Sequence, residues 1–368
     1  MRYTFSFLLL LALITISSCR KDFDTIPNFG DLRFSKDTVY LDTVFSNIGS
    51  STYNLKVYNK SSNAITIPSI QLGNGNNSNY RLNVDGVPGK QFQNIDILAN
   101  DSIYVFIEAT VNISNQNNPL YIDKIVFDTG TNEQEVALVT LVQDAVFLYP
   151  GRNANTLEID SLALGDKKFA QGRFLNDNEL IFTNQKPYVV YGYIAVPENK
   201  TLQIDAGAKI HFHQNSGLIV DAKASLKING TLNEQVILEG DRLEPNLSNI
   251  PGQWSAIWLR AGSVHNQINY ATIKNGTIGV LVDSLGSPAL PTLEIKNSQI
   301  YNHSSFGILG RGTHIKGENL VIGSAGQVSM AATIGGTYRF THCTFANFWT
   351  SSFRDNPAVL VNNFYSYT

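Results

Sequence analysis

His211 and His213 flank Phe212 in the run Lys209-Ile210-His211-Phe212-His213. Residues two apart on a strand share a face, so the pair can offer two imidazoles to a metal ion or a ligand hydroxyl. No third ligand stands at a spacing that completes a metal site, and no metal or other cofactor is expected. With Ile210 and Phe212 turned inward, both rings face solvent. Asp205 and Asp221 lie 16 residues apart and can meet on neighbouring passes of the chain, as paired acid–base chemistry requires. Arg311 and Lys316 form a base pair only loosely and read better as solvated charge. There is no phosphate-binding loop, no Gly-x-Ser-x-Gly element and no Cys/His cluster. No residue is assigned to catalysis.

Binding asks for less. Trp258, Tyr270 and Tyr301, with His211 and His213, are candidate glycan contacts, because an aromatic ring offers an apolar face and a polar edge. Trp258 alternates with Ile257 and Leu259 and is a better outward residue than Trp254. Cys343, inside the alternating run Phe340 to Phe345, reads as a small buried residue.

Strands must position these groups. The chain has 368 residues, 43% apolar and only 15% charged, with 28 Gly and 36 Phe or Tyr, which favours strands and tight turns over helices. A net charge of −3 without a basic cluster excludes a nucleic-acid partner. Arg2, the apolar run Phe5 to Ile16 and the small residues after it make residues 1–18 a signal peptide. The ending Ile16-Ser17-Ser18-Cys19 resembles a bacterial lipobox, which implies an acylated Cys19 held in membrane lipid. The expected place is the cell envelope, at the outer membrane and on the cell surface. With Cys19 acylated, Cys343 has no disulfide partner.

A polar tether, residues 19–31, leads into period-two segments over 32–146, such as Tyr53 to Tyr58 and Ile103 to Ile107, separated by Asn/Gly clusters. These predict a β-sandwich. The order of features, with Leu55-Lys56-Val57-Tyr58-Asn59 and Ala99-Asn100-Asp101-Ser102, resembles immunoglobulin-like domains of the abnormal-spindle and hydin type. That resemblance implies a spacer or adhesion module without catalytic residues. Residues 147–187 read as a linker and cap.

From residue 188 to 368 the pattern changes. Apolar residues five apart recur at Ile268/Ile273, Ile295/Ile300, Ile315/Leu320 and Phe340/Phe345, with starts about 20 to 27 residues apart, the length of a solenoid coil. Ile278 to Leu281 and Phe306 to Leu309 fit second strands of the same coils. Asn and Gly suit the left-handed backbone of sharp corners. The succession from Val196 to Leu259 resembles right-handed parallel β-helix proteins of the pectate-lyase-like superfamily, although Ser255-Ala256 stands where many relatives have paired glycines. The expected class is all-β, a sandwich followed by a parallel β-helix.

Asp followed by Ser or Thr and then mostly an aliphatic residue recurs at Thr25, Thr38, Thr43, Ser102, Ser161 and Ser284. These triplets resemble O-glycosylation sites of exported Bacteroidota proteins, and equally suit strand entry. The expected function is display of a non-catalytic β-helix that binds a glycan or another envelope macromolecule, such as a polysaccharide or envelope protein. A polysaccharide lyase or hydrolase of the pectate-lyase-like type, and a structural or adhesive component, are the alternatives.

Overall fold

The computed structural model describes residues 24–112, 119–164, 167–283 and 289–363. Cys19, the signal segment and Ser284 lie outside the described residues. The chain divides into two compact units at Val142/Gln143.

The first unit is a sandwich. Strands Ile26–Pro27, Thr38–Phe45, Ile65–Leu72, Gln91–Ile97, Leu120–Phe127 and Gln134–Gln143 make one sheet. Strands Arg33–Phe34, Tyr53–Tyr58, Tyr80–Val84, Val87–Gly89 and Ser102–Ala109 make the other. Alternate residues point inward, so Leu55, Val57, Leu82, Val105 and Ile107 meet Ile67, Ile125, Val136 and Leu138 in one core. Asn59, buried at the end of its strand, closes the edge. Its Nδ2 donates to the carbonyls of Asn63 (2.8 Å), Ile97 (3.2 Å) and Leu98 (2.9 Å), and its Oδ1 accepts from the Ser61 amide at 2.9 Å. Thr38, Ser102 and Ser161 each open a strand, Thr38–Phe45, Ser102–Ala109 and Ser161–Leu164, as the strand-entry reading requires. Thr43 lies within a strand, and Thr25 meets the Thr66 hydroxyl at 2.7 Å.

The second unit is a parallel β-solenoid of about seven turns. Three faces repeat in order along the chain. The first runs through Val146–Leu148, Tyr188–Val190, Lys209–Phe212, Val236–Gly240 and Ala271–Lys274. The second runs through Tyr193–Val196, Gly217–Val220, Ile257–Leu259 and Ile278–Asp283. The third runs through Ile181–Phe182, Thr201–Asp205, Ser225–Asn229 and Asn266–Asn269. Each coil lends its inward residues to one continuous stack, in which Ile210, Leu238, Ile273, Ile300 and Ile322 form one column.

Corners explain the asparagine content. Asn275 (φ 66°), Asn297 (φ 48°), Asn302 (φ 61°) and Asn319 (φ 54°) take the left-handed backbone that β-branched residues resist. Their amides also join successive coils. Asn319 donates to Asn297 Oδ1 at 2.8 Å, Asn297 to Asn269 Oδ1 at 2.9 Å and Asn302 to Asn275 Oδ1 at 2.7 Å.

Three sequence expectations change. Parallel pairing begins at Val146–Leu148, so residues 147–187, expected as linker and cap, include strands of the first coil and the antiparallel hairpin Ser161–Leu164/Lys167–Phe174. One repeat shifts by two: Ile295 pairs with Gly317, not Ile315, and Gly317 pairs with Phe340. A Cβ on Gly317 would lie 2.4 Å from the Phe340 ring, so the ring fills the space an aliphatic residue would take. The third concerns His211, taken up below.

Candidate functional site

At the corner between the first and second faces, three coils place aromatic rings in register. Leu148, Val190 and Phe212 point into the core, and the residue after each turns outward, giving Tyr149, Tyr191 and His213. Tyr149 and Tyr191 have ring centroids 5.6 Å apart, and Tyr191 and His213 lie 4.4 Å apart and stacked. Asp241 continues the column: His213 Nδ1 donates to its Oδ2 at 2.7 Å. Because a carboxylate only accepts, this bond places a proton on Nδ1, and in the neutral ring Nε2 is then an acceptor. Burial, with help from the Asp241 carboxylate and Tyr149, pushes the Tyr191 phenol up to about 12, so it stays a donor.

The hairpin folds beside this corner and leaves a cavity of about 590 Å³ lined by Tyr149, Arg152, Gln171, Tyr191, Tyr193 and His213 among others. That volume lies within the range of small-ligand sites. Tyr193 has its place because residue 217 is glycine: a Cβ there would meet the Tyr193 ring at 2.9 Å and the Ala256 carbonyl at 2.6 Å. Arg152 is exposed at the cavity, its Nε bonded to the Leu157 carbonyl at 3.0 Å. The lining combines tyrosine rings, amides, a guanidinium and an imidazole, and can grip a ligand with apolar faces and many hydroxyls.

Of the five residues expected to touch a glycan, only His213 lines this cavity. His211 is buried, against the expectation that both histidines face solvent. It points outward on the first face but is hemmed in, with Nδ1 3.3 Å from the Gly240 carbonyl and 3.7 Å from Glu239. Burial lowers its pKa, which keeps the ring neutral. Glu239 in turn pairs with Lys274 at 2.8 Å. Trp258 faces outward, as its alternation predicts, but packs with Tyr193 against Leu162, Ala195 and Ile219, and its Nε1 donates to Asp283 at 2.7 Å. Trp254 is buried and stacked on Phe212 at 4.5 Å. Tyr270 sits at a left-handed corner (φ 46°), and Tyr301 follows Lys274 in register on the first face; both are half-buried.

The carboxylates do not pair with each other. Asp221 is bonded to Arg260, Asp283 to Arg311 at 2.5 Å, and Lys316 to Glu294 at 2.9 Å, while Asp205 accepts from Gln203 at 2.7 Å. Among the described residues no group of three or more His, Cys, Asp or Glu can hold a metal ion. Cys343 is half-buried against the core. The cavity residues Tyr149, Tyr191, Tyr193 and Arg152, and Asp241 behind His213, escaped the sequence reading. The available signal was an apolar residue followed by an aromatic ring and then a turn, at Leu148-Tyr149, Val190-Tyr191 and Phe212-His213.

No protein-family model matches the chain, and no curated protein does. Among solved structures it is similar to the catalytic unit of a GH87 alpha-1,3-glucanase from Streptomyces thermodiastaticus, at 12% identity and TM-score 0.30, over 84% of this chain and 59% of that one. It is also similar to a family 123 glycoside hydrolase from Clostridium perfringens, at 11% identity and TM-score 0.22, over 31% of this chain and 27% of that one. The chain thus spans less than two thirds of either relative. Likeness at this level adds nothing to what the strand registers show.

Proposed function

We propose that this chain is an exported, lipid-anchored glycan-binding protein whose solenoid takes an oligosaccharide at the Tyr149–Tyr191–His213 corner. The observation that carries the reading is the cavity itself: tyrosine rings at successive coils beside Arg152, Gln171 and His213. The rings supply apolar contact and their hydroxyls, with the amides, supply hydrogen bonds to a sugar. The test is isothermal titration of the whole chain with neutral and acidic oligosaccharides. Tyr191→Ala is expected to weaken the tightest of these at least tenfold; unchanged affinity overturns the reading. For the anchor, Cys19→Ala is expected to release the protein from the membrane fraction, and continued acyl labelling of that variant contradicts it.

The His213–Asp241 bond favours a second reading, hydrolysis of the bound glycan, in which His213 takes a proton from the attacking water as the glycosidic C–O bond breaks and returns it to the leaving oxygen. New reducing ends released by the wild type and not by His213→Gln would select it over binding alone.

A further inference from the structure

The sandwich carries a surface that the spacer reading leaves without a role. On its smaller sheet, Val105 and Ile107 are fully buried, so Tyr104 and Phe106 between and beside them face away from the core, 47% and 42% exposed. Their rings lie 6.0 Å apart and within 18° of parallel. Registers place Asn54 and Asn83 on either side of Phe106, Pro88 next to Asn83, and Lys56 beside Tyr104. A cavity of about 480 Å³ opens next to Phe106, lined by Arg81, Asn83, Pro88, Lys90 and Glu108.

Two further observations point to a ligand and its charge. Asn83 Oδ1 is shielded and has no hydrogen-bond partner, so turning this amide toward a ligand hydroxyl costs no protein bond. The outward strand positions carry Arg33, Lys56 and Arg81 against one acid, Glu108. Glu108 is already engaged by Thr52 at 2.6 Å and Arg81 at 3.2 Å, bonds that hold its pKa below the ordinary carboxylate value. The Lys56 ammonium lies 5.2 Å from the Tyr104 ring centre, and that of Lys60 4.7 Å from Tyr58. An aromatic platform bordered by amides and surplus cations complements a sugar that bears negative charge.

We infer that this face is a second glycan site, selective for acidic oligosaccharides that carry carboxylate or sulfate groups, with Phe106 and Tyr104 as its platform. It is separate from the solenoid cavity and stands or falls independently of it. The test titrates the full chain with oligogalacturonate, a sulfated heparin-derived oligosaccharide and a neutral galactan oligomer. The double variant Tyr104→Ala/Phe106→Ala is expected to lose at least tenfold in affinity for an acidic probe, and Lys56→Gln severalfold. Tyr191→Ala is expected to leave this binding intact, and raised salt to weaken it. Tyr104 and Phe106 are exposed, so the double variant is expected to melt at the wild-type temperature. Full affinity in the double variant overturns the inference, as does equal binding of the neutral oligomer at this face or no binding of either acidic probe. Acidic binding that only Tyr191→Ala removes also overturns it, while leaving the solenoid reading in place.

Discussion

The sandwich and the solenoid satisfy their polar groups in opposite ways. In the sandwich each solution occurs once: Asn59 ties its strand end to three carbonyls, and Asp123 accepts from Ser78 and the Asn74 amide. In the solenoid a solution is copied from coil to coil, as in the amide column Asn269–Asn297–Asn319 or the outer-face pairs Asp221–Arg260 and Asp283–Arg311. A single-copy network makes its unit fail as a whole when one member is lost. A repeated one spreads the loss over neighbouring coils, because each coil touches only the next.

The sharpest break in that comparison comes from the shared stack. Ile300→Asp puts an unpaired charge at a fully buried position, where the expected cost exceeds about 4 kcal/mol. Limited proteolysis should then digest the solenoid from the coils around residue 300 while residues 24–142 persist. Simultaneous loss of both units would refute the division.

Acid should separate the units as well, since all six histidines lie in the solenoid. His303 is fully buried, its Nδ1 accepting from the Gly276 amide at 3.1 Å and its Nε2 donating to the Ile273 carbonyl at 3.2 Å. Burial lowers its pKa to about 4. The unfolded chain binds this proton below about pH 6.5 and the folded one does not, so the neutral ring's contribution is whole above 6.5 and fades toward pH 4. Denaturant titrations should show the solenoid losing about 3 kcal/mol over that window through this residue. A loss of the same size in a His303→Gln variant would exclude His303 as its source.

Smaller effects sharpen the contrast. Asn59→Ala leaves buried carbonyls unmet and should cost the sandwich about 2–3 kcal/mol in chemical denaturation. Asn297→Gly, which keeps the left-handed backbone without strain and loses two amide bonds near the surface, should cost the solenoid only about 1 kcal/mol, and Asn297→Ala more. Equal losses at residues 59 and 297 would contradict the single-copy and repeated account.

Legibility followed repetition. The stack was readable because Ile268, Ile273, Ile295 and Ile300 recur at coil spacing, and the corners because asparagine tolerates their backbone. The shifted repeat was hidden because Gly317 leaves its column to the Phe340 ring, a substitution across coils that no local pattern records. The cavity was hidden for a similar reason. Tyr149, Tyr191 and His213 lie 42 and 22 residues apart and meet only because the first coil includes the hairpin. Histidine orientation was half readable: alternation turned His211 outward, but its burial depends on Glu239 in the next coil.

Hydroxyl-radical footprinting reads the central claim most directly, because tyrosine oxidation reports each ring's exposure separately. With the tightest-binding oligosaccharide from the titrations at saturation, Tyr149, Tyr191 and Tyr193 should be protected together, while Tyr270 and Tyr301 oxidise as in the free protein. Unprotected rings at that corner under saturation would contradict a glycan site in the solenoid.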